Sequence, residues 1–185
     1  KFQQTMKKVS IFALIALGSL SIGVTSCSKE DPAKALEINK EQTATIHGKI
    51  LINKNESDSI PKWSSAENVQ IIASVPYAEL NSAASGTYLI KDVTYNAATG
   101  EFTIVAPVSA NGSAINVKFA DFKGQVVVPT IVDDTVQTSK TINVIWKGQS
   151  ATTEQLLPGE AYNLPNWQLN GSAYYTEDPS VGDGI

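Results

Sequence analysis

The chain has 185 residues, 14 of them basic and 18 acidic, for a formal net charge of −4, which leaves room for one domain with extensions. Every basic residue is a lysine; without a guanidinium fork to grip phosphates or guanine edges, and with a net negative charge, nucleic-acid binding is not expected. The single cysteine, Cys27, excludes an internal disulfide and a multi-cysteine zinc site, and the abundance of Thr, Ser, Val, Ile and Asn over Leu/Glu/Lys/Ala helical runs leans the fold toward β structure.

Met6, read as the start with residues 1–5 upstream of it, is followed by Lys7-Lys8, by the apolar run VSIFALIAL and by small residues up to Ser26. A charged n-region, an apolar h-region and a small-residue cleavage region are the layout of a secretory signal, and the apolar part is shorter than the roughly 20 residues a transmembrane helix needs. The stretch Val24-Thr25-Ser26-Cys27 resembles the lipobox of bacterial lipoproteins. That resemblance implies removal of residues 1–26 and acylation of the Cys27 thiol and its new amino group (a palmitate-type modification). One acyl chain gives marginal membrane binding and two or more give stable anchoring, so the covalent lipid would be an anchor and no other cofactor is implied.

Ser28-Lys29-Glu30-Asp31 follows. Lys29, Glu30 and Asp31 resemble the export signal that places lipoproteins on the outer face of the outer membrane in bacteria rich in starch-utilisation-type uptake loci; a solvated charged tether is the alternative. Counting from Cys27 removes Lys1, Lys7 and Lys8 and no acid, leaving 11 lysines against 18 acids and a formal charge of −7. Such a body is expected to stand off anionic lipid on a tether over residues 27–41, whose polar part reaches about 45 Å if extended.

From residue 42 the apolar period is two. In TATIHGKILI, Ala44, Ile46, Gly48, Ile50 and Ile52 share one face, and Thr43, Thr45, His47 and Lys49 the other, the pattern of a half-buried strand. NKNESDSIPKWSSAE is expected to be a polar loop, and NVQIIASV a strand with Val69, Ile71, Ala73 and Val75 inward. TYLIKDVTYN and EFTIVAPV flank AATG, a hairpin in which Gly100 takes a positive φ. Asn111-Gly112 marks a turn. AINVKFADF points Ile115, Val117 and Phe119 inward, GQVVVPTIV is a strand closed by Pro129, and TINVIWK puts Ile142, Val144 and Trp146 on one face. Leu164, Trp167 and Leu169 pack back on the body, and residues 176–185 are expected to be a mobile acidic tail. Short strands at regular spacing predict an all-β, Ig-like sandwich over residues 42–175.

Over residues 42–129 the layout resembles the transthyretin-like, carboxypeptidase-regulatory-like β-sandwich domains. The first strand carries a central glycine, Gly48; a strand opens with Asn68-Val69-Gln70-Ile71; residues 96–104 carry Gly100 and Phe102 in a T-x-x-x-G-x-F-x-I-like run; and an aliphatic and aromatic strand, Val117 to Gly124, ends in a glycine loop. The chain departs from that pattern in the insert between Ile52 and Glu67 and in the 57 residues after Val128, which implies closing strands that are extended or differently ordered.

Residues able to carry chemistry are sparse. His47 is the only histidine and sits on the exposed face of its strand, outside any G-x-S-x-G, H-E-x-x-H or phosphate-loop context. Asp133-Asp134 and Glu177-Asp178 are adjacent acids; solvated charge is preferred over glycosidase carboxylates or, with Asp183, loose calcium ligation, so no metal is expected. The aromatics are better contact candidates: Trp63 in the insert first, then Trp167, Tyr174 and Tyr175, while Trp146 is assigned to the core on its alternation. The expectation is a non-enzymatic, surface-exposed lipoprotein of the outer membrane. By its export class it would be an accessory subunit beside a TonB-dependent transporter and its binding lipoprotein, in a SusCD-like complex. A glycan-binding module using Trp63, or an adhesin or pilus-type subunit assembling by strand addition, are the alternatives.

Overall fold

The computed structural model of the chain describes residues 37–132 and 135–180. The signal segment, Cys27, Lys29, Glu30, Asp31, most of the tether, and Asp133, Asp134 and Asp183 lie outside the described residues. Among the described residues no helix is long and apolar enough to cross a membrane.

The body is an all-β sandwich. Its first sheet is centred on β1 (Thr43–Asn53). The N-terminal half of β1 lies between β6 (Glu101–Pro107), antiparallel, and β11 (Ala161–Asn163), parallel, with β5 (Val93–Asn96) beyond β6. The C-terminal half of β1 exchanges these neighbours for β2 (Trp63–Ser65), antiparallel, and β12 (Trp167–Leu169), parallel. The second sheet has the order β10-β7-β3-β4, built from β10 (Ser150–Leu156), β7 (Ser113–Phe119), β3 (Ile71–Pro76) and β4 (Thr87–Ile90), with the four-residue helix α1 (Tyr77–Leu80) after β3. A third sheet, β13-β9-β8, consists of the long hairpin of β8 (Phe122–Val132) and β9 (Thr135–Trp146) with β13 (Tyr175–Glu177) on the far side of β9.

The period-two pattern produces this arrangement. Ala44, Ile46, Ile50 and Ile52 of β1 and Phe102, Ile104 and Ala106 of β6 are at most 2% exposed, and face Ala73 and Val75 of β3 and Ile115, Val117 and Phe119 of β7 in one continuous core. Each Ile, Val or Phe among them contributes on the order of 1.5–3 kcal/mol by leaving water. The opposite face carries His47 and Lys49, as the alternation predicts. Gly100 (φ +75°) closes the β5–β6 hairpin, its N–H donating to the Asn96 carbonyl (2.7 Å), and Gly112 (φ +91°) closes the turn after β6. Leu164 and Leu169 are buried and Trp167 is half-buried, so the C-terminal segment packs back as expected.

Four expectations change. The segment TYLIKDVTYN is not one strand: β4 and β5 belong to different sheets, with Lys91-Asp92 crossing between them. The insert after Ile52 is not all loop, because Trp63–Ser65 add to the edge of β1. Pro129 does not end its strand: β8 continues to Val132, opposite β9, with Pro129 facing Ser139. Proline is tolerated where its nitrogen faces away from the neighbouring strand, and that is the case here: Val127, two residues earlier, turns its N–H and C=O away from β9 toward Lys54 and Glu56, and direction repeats every second residue along a strand. Finally, the tail expected to begin at Thr176 is part of a sheet through Glu177, and Asp178 after it is buried. Backbone pairing with β9 and an ion pair from Lys123 hold this acidic stretch in place.

Candidate interaction site

The four aromatic residues singled out as contacts have different environments. Trp63 on β2 is 38% exposed, close behind it in the same insert Ile60 is 75% exposed, and Tyr174 is 36% exposed in a single 3-10 turn before β13. Trp167 is packed instead: its ring stacks on Phe102 (centroids 5.7 Å, 22° between planes) and meets Phe119 edge-on (5.2 Å, 69°). Tyr175 is 7% exposed, lies edge-on to Trp146 at 5.1 Å, and donates its hydroxyl to Glu56 Oε2 (3.0 Å). Burial first, and the Glu56 carboxylate second, push its pKa up to about 12. Tyr175 is therefore a core residue, correcting its assignment as a contact.

The register also separates Trp63 from Trp167. Trp63 pairs with Asn53, whereas Trp167 pairs with Ile50. Paired residues share a face and alternate positions along a strand do not, so the two rings stand on opposite faces of the sheet and cannot form one stacking platform.

The adjacent acids Glu177 and Asp178 do not act together either. Glu177 is exposed, while the Asp178 side chain is 4% exposed and accepts Ser180 Oγ (2.6 Å), Ser180 N–H (3.0 Å) and the Lys123 ammonium (2.9 Å). The Ser180 hydroxyl, followed by Lys123, holds the Asp178 carboxyl down to about 2. It is a structural anion that fastens the end of the third sheet. Among the described residues no group of three or more His, Cys, Asp or Glu is gathered to hold a metal ion.

Two surface depressions were not foreseen. One, of about 280 Å³, lies on the outer face of the first sheet. Its polar wall is His47, Lys49, Glu101, Thr103, Asn163 and Asn166; His47 Nδ1 meets Thr103 Oγ1 at 3.2 Å and Lys49 pairs with Glu101 at 3.4 Å. The partner of this histidine is a hydroxyl rather than a carboxylate, so the pair lacks the orienting acid that a nucleophile–histidine–acid set uses. The alternation of β1 put His47 and Lys49 on this face, but no sequence signal paired β11, which ends at Asn163, with β1 or placed Asn166 in the loop after it beside them.

The second depression, of about 310 Å³, is a fork between the end of β1 and the start of β8, lined by Ile52, Lys54, Glu67, Asn68 and residues 122–125. At its closed end the chain makes a parallel bridge: Val127 N–H donates to the Lys54 carbonyl (2.8 Å) and Glu56 N–H to the Val127 carbonyl (2.8 Å). Below the bridge β1 turns away into its pairing with β2 and β12. Lys54 Nζ and Glu67 Oε1 lie 3.5 Å apart at the fork's rim, both side chains well exposed. Asn68, at its lip, has a left-handed backbone (φ +56°), a conformation asparagine tolerates. Beneath Gly124 lies the indole of Trp146, fully buried, with its N–H unpartnered.

No family model, no curated protein and no solved structure matches the chain.

Proposed function

We propose that this chain is a surface-exposed lipoprotein of a bacterial outer membrane whose β-sandwich body works by contact with other molecules rather than by a reaction of its own. The observation that carries this reading is the run Lys7-Lys8, an apolar segment, then Val24-Thr25-Ser26-Cys27 and Lys29-Glu30-Asp31, ahead of a sandwich whose first strand begins at Thr43. A tether of this length between lipid and sandwich lets an acidic body engage a neighbour in the membrane while standing clear of anionic headgroups. The finer reading is an accessory subunit beside a TonB-dependent transporter and its binding lipoprotein, with the body as a transthyretin-like domain.

Metabolic labelling with an alkyne fatty acid tests the anchor: the wild-type chain takes up label and fractionates with membranes, and Cys27→Ser does neither. Wild-type protein that is unlabelled and soluble overturns the reading. Shaving intact cells with a protease that cannot cross the outer membrane tests the outward orientation. Co-purification with a large β-barrel from mild detergent tests the accessory role, which fails if no barrel accompanies the protein. The exposure of Trp63 and Ile60 favours glycan binding as the second reading. Its test is retardation in native gels containing polysaccharide, lost in Trp63→Ala.

A further inference from the structure

We propose that Asn170 is a site of self-modification: in the folded chain the Asn170-Gly171 step closes to a succinimide and reopens as aspartate or isoaspartate, with Glu56 as the base and Asn53 as the donor to the reacting side-chain oxygen. The change is made once, on the chain itself, so the inference goes beyond the lipoprotein reading and does not depend on it.

The tetrapeptide Asn-Gly-Ser-Ala occurs twice, at residues 111–114 and 170–173. In both copies the backbone nitrogen after the asparagine belongs to a glycine, so no Cβ hinders its approach to the side-chain amide. The local sequence is the same, and the surroundings decide.

At Asn170 the contacts converge on the reacting atoms. Gly171 N–H, which carries the nucleophile's proton, donates to Glu56 Oε1 (2.9 Å), within the reach a general base needs. Asn170 Oδ1 accepts a hydrogen bond from Asn53 Nδ2 (2.9 Å), and the Asn53 residue is 2% exposed. A further bond fixes the orientation of both amides. Asn53 Oδ1 accepts Asn55 N–H (3.2 Å), which turns the Asn53 amino group toward Asn170, and only an oxygen can accept it there. The leaving group, Asn170 Nδ2, therefore points away from this contact; Asn170 is exposed, and its Nδ2 has no hydrogen-bond partner among the described residues. A base on the nucleophile and a donor on the oxygen that gathers charge are what acyl transfer requires. Asn111 has neither. Gly112 N–H donates to the Ser109 carbonyl (3.0 Å), which takes no proton, and the exposed Asn111 side chain is unbonded among the described residues.

The step balances. The Gly171 nitrogen bonds to Asn170 Cγ and gives its proton to Glu56. The Cγ–Nδ2 bond breaks, and Nδ2 leaves as ammonia with the proton that Glu56 returns. Water then opens the imide. Opening at Cγ gives aspartate, and opening at the main-chain carbonyl gives isoaspartate, which adds a methylene to the main chain between β12 and β13. Water is consumed, ammonia is released, and nothing is oxidised or reduced.

The test incubates the full chain in detergent micelles at neutral pH and follows both Asn-Gly peptides by mass spectrometry after digestion, with isoaspartate separated by chromatography. In the folded chain Asn170 is expected to convert at least about tenfold faster than Asn111, and in urea that lead is lost. Glu56→Gln keeps an acceptor for Gly171 N–H but cannot take its proton. It should slow Asn170 by at least about tenfold and leave Asn111 unchanged. If Glu56→Gln does not fold, the loss of the lead in urea decides. A folded chain in which Asn170 is no faster than Asn111, a lead that survives in urea, or a folded Glu56→Gln that converts Asn170 at the wild-type rate each overturns the proposal.

Discussion

The sandwich body and the β8–β9 layer use the same packing device with different aromatic residues. In the body, Gly48 of β1 pairs directly with Phe102 of β6, whose ring covers the position a side chain would occupy. In the hairpin layer, Gly124 of β8 pairs with Val144 and lies under Trp146, two residue pairs further along β9. A ring laid over a cross-strand glycine restores the apolar contact that glycine lacks. Phe102 does so with no polar atom and passes the contact on to Trp167. Trp146 supplies a larger ring that also packs on Phe122 and Tyr175, but it brings an N–H into a space that offers no acceptor. The first contact is complete by itself, and the second is one hydrogen bond short. That difference separates a complete aromatic contact in the body from one in the hairpin layer that leaves a buried donor unpaired.

The largest effects test whether each ring holds its own region. Trp146→Ala and Phe102→Ala should each cost about 3–5 kcal/mol, read as shifts in the urea midpoint. If the comparison is right, Trp146→Ala releases amide protection first in β8, β9 and β13, whereas Phe102→Ala releases it in β1, β6 and β12. Identical patterns of exchange in the two variants would show one cooperative unit and remove the distinction.

Filling the glycines separates the two contacts more finely. A methyl on Gly48 collides with the Phe102 ring, which is wedged against Trp167 and has no free direction. A methyl on Gly124 stands 2.9 Å from Nε1 and 3.1 Å from Cδ1 of Trp146, so the ring must shift, but less than at Gly48, where the nearest Phe102 atom would be 2.2 Å away. Overpacking costs about 1–3 kcal/mol, and Gly48→Ala should fall at the upper end and Gly124→Ala at the lower. Thermal melts of the two variants check the order; the reverse order would mean that Trp146 is the more tightly confined ring.

Legibility from sequence follows the same division. The faces of β1, β6 and β7 could be read because each strand is half-buried, so polar and apolar residues alternate, and Gly100 and Gly112 carry a turn signal that depends on local backbone alone. The fork could not be read. It depends on Lys54–Glu56 meeting Val127, more than 70 residues away, and on the direction of backbone groups, to which side-chain pattern is blind. The failure at Pro129 has the same origin: proline ends a strand only if its missing N–H was needed, and here that side faces outward. Asp178 and Tyr175 were hidden for another reason. Their partners, Lys123 and Glu56, lie in distant segments, so a buried carboxylate paired with a surface lysine and a buried hydroxyl looked like an acidic, aromatic tail.

The Tyr175–Glu56 bond ties the third sheet to the segment that forms the fork's closed end. Tyr175→Phe should cost about 1–2 kcal/mol, since a bond to a charged acceptor is lost. The alkaline limb gives a more specific reading. The folded hydroxyl keeps its proton up to about 12, while the unfolded one ionises near 10. Its contribution to stability is therefore intact below about pH 10 and is lost as pH rises from there toward 12. Denaturation midpoints measured across that interval should fall more steeply for wild type than for Tyr175→Phe. Parallel curves would show that the Tyr175 hydroxyl is neither buried nor bound to Glu56 in solution.

The smallest expected change is the most discriminating. Trp146→Phe removes the five-membered ring and its N–H but keeps an aromatic ring over Gly124. The lost volume destabilises, as any large-to-small change in a core does. Removing a buried donor that has no partner stabilises, by about 1–3 kcal/mol. The terms oppose each other, and the net change should lie within about 1 kcal/mol of zero, far below the cost of Trp146→Ala at the same site. Trp167 has no such compensation, since its ring is only partly buried and its N–H is not an orphaned buried donor, and Trp167→Phe should be clearly destabilising. Urea titrations of both variants settle it. A loss at Trp146 as large as that at Trp167 would mean that the indole N–H is satisfied in solution, by a water in the notch under Gly124.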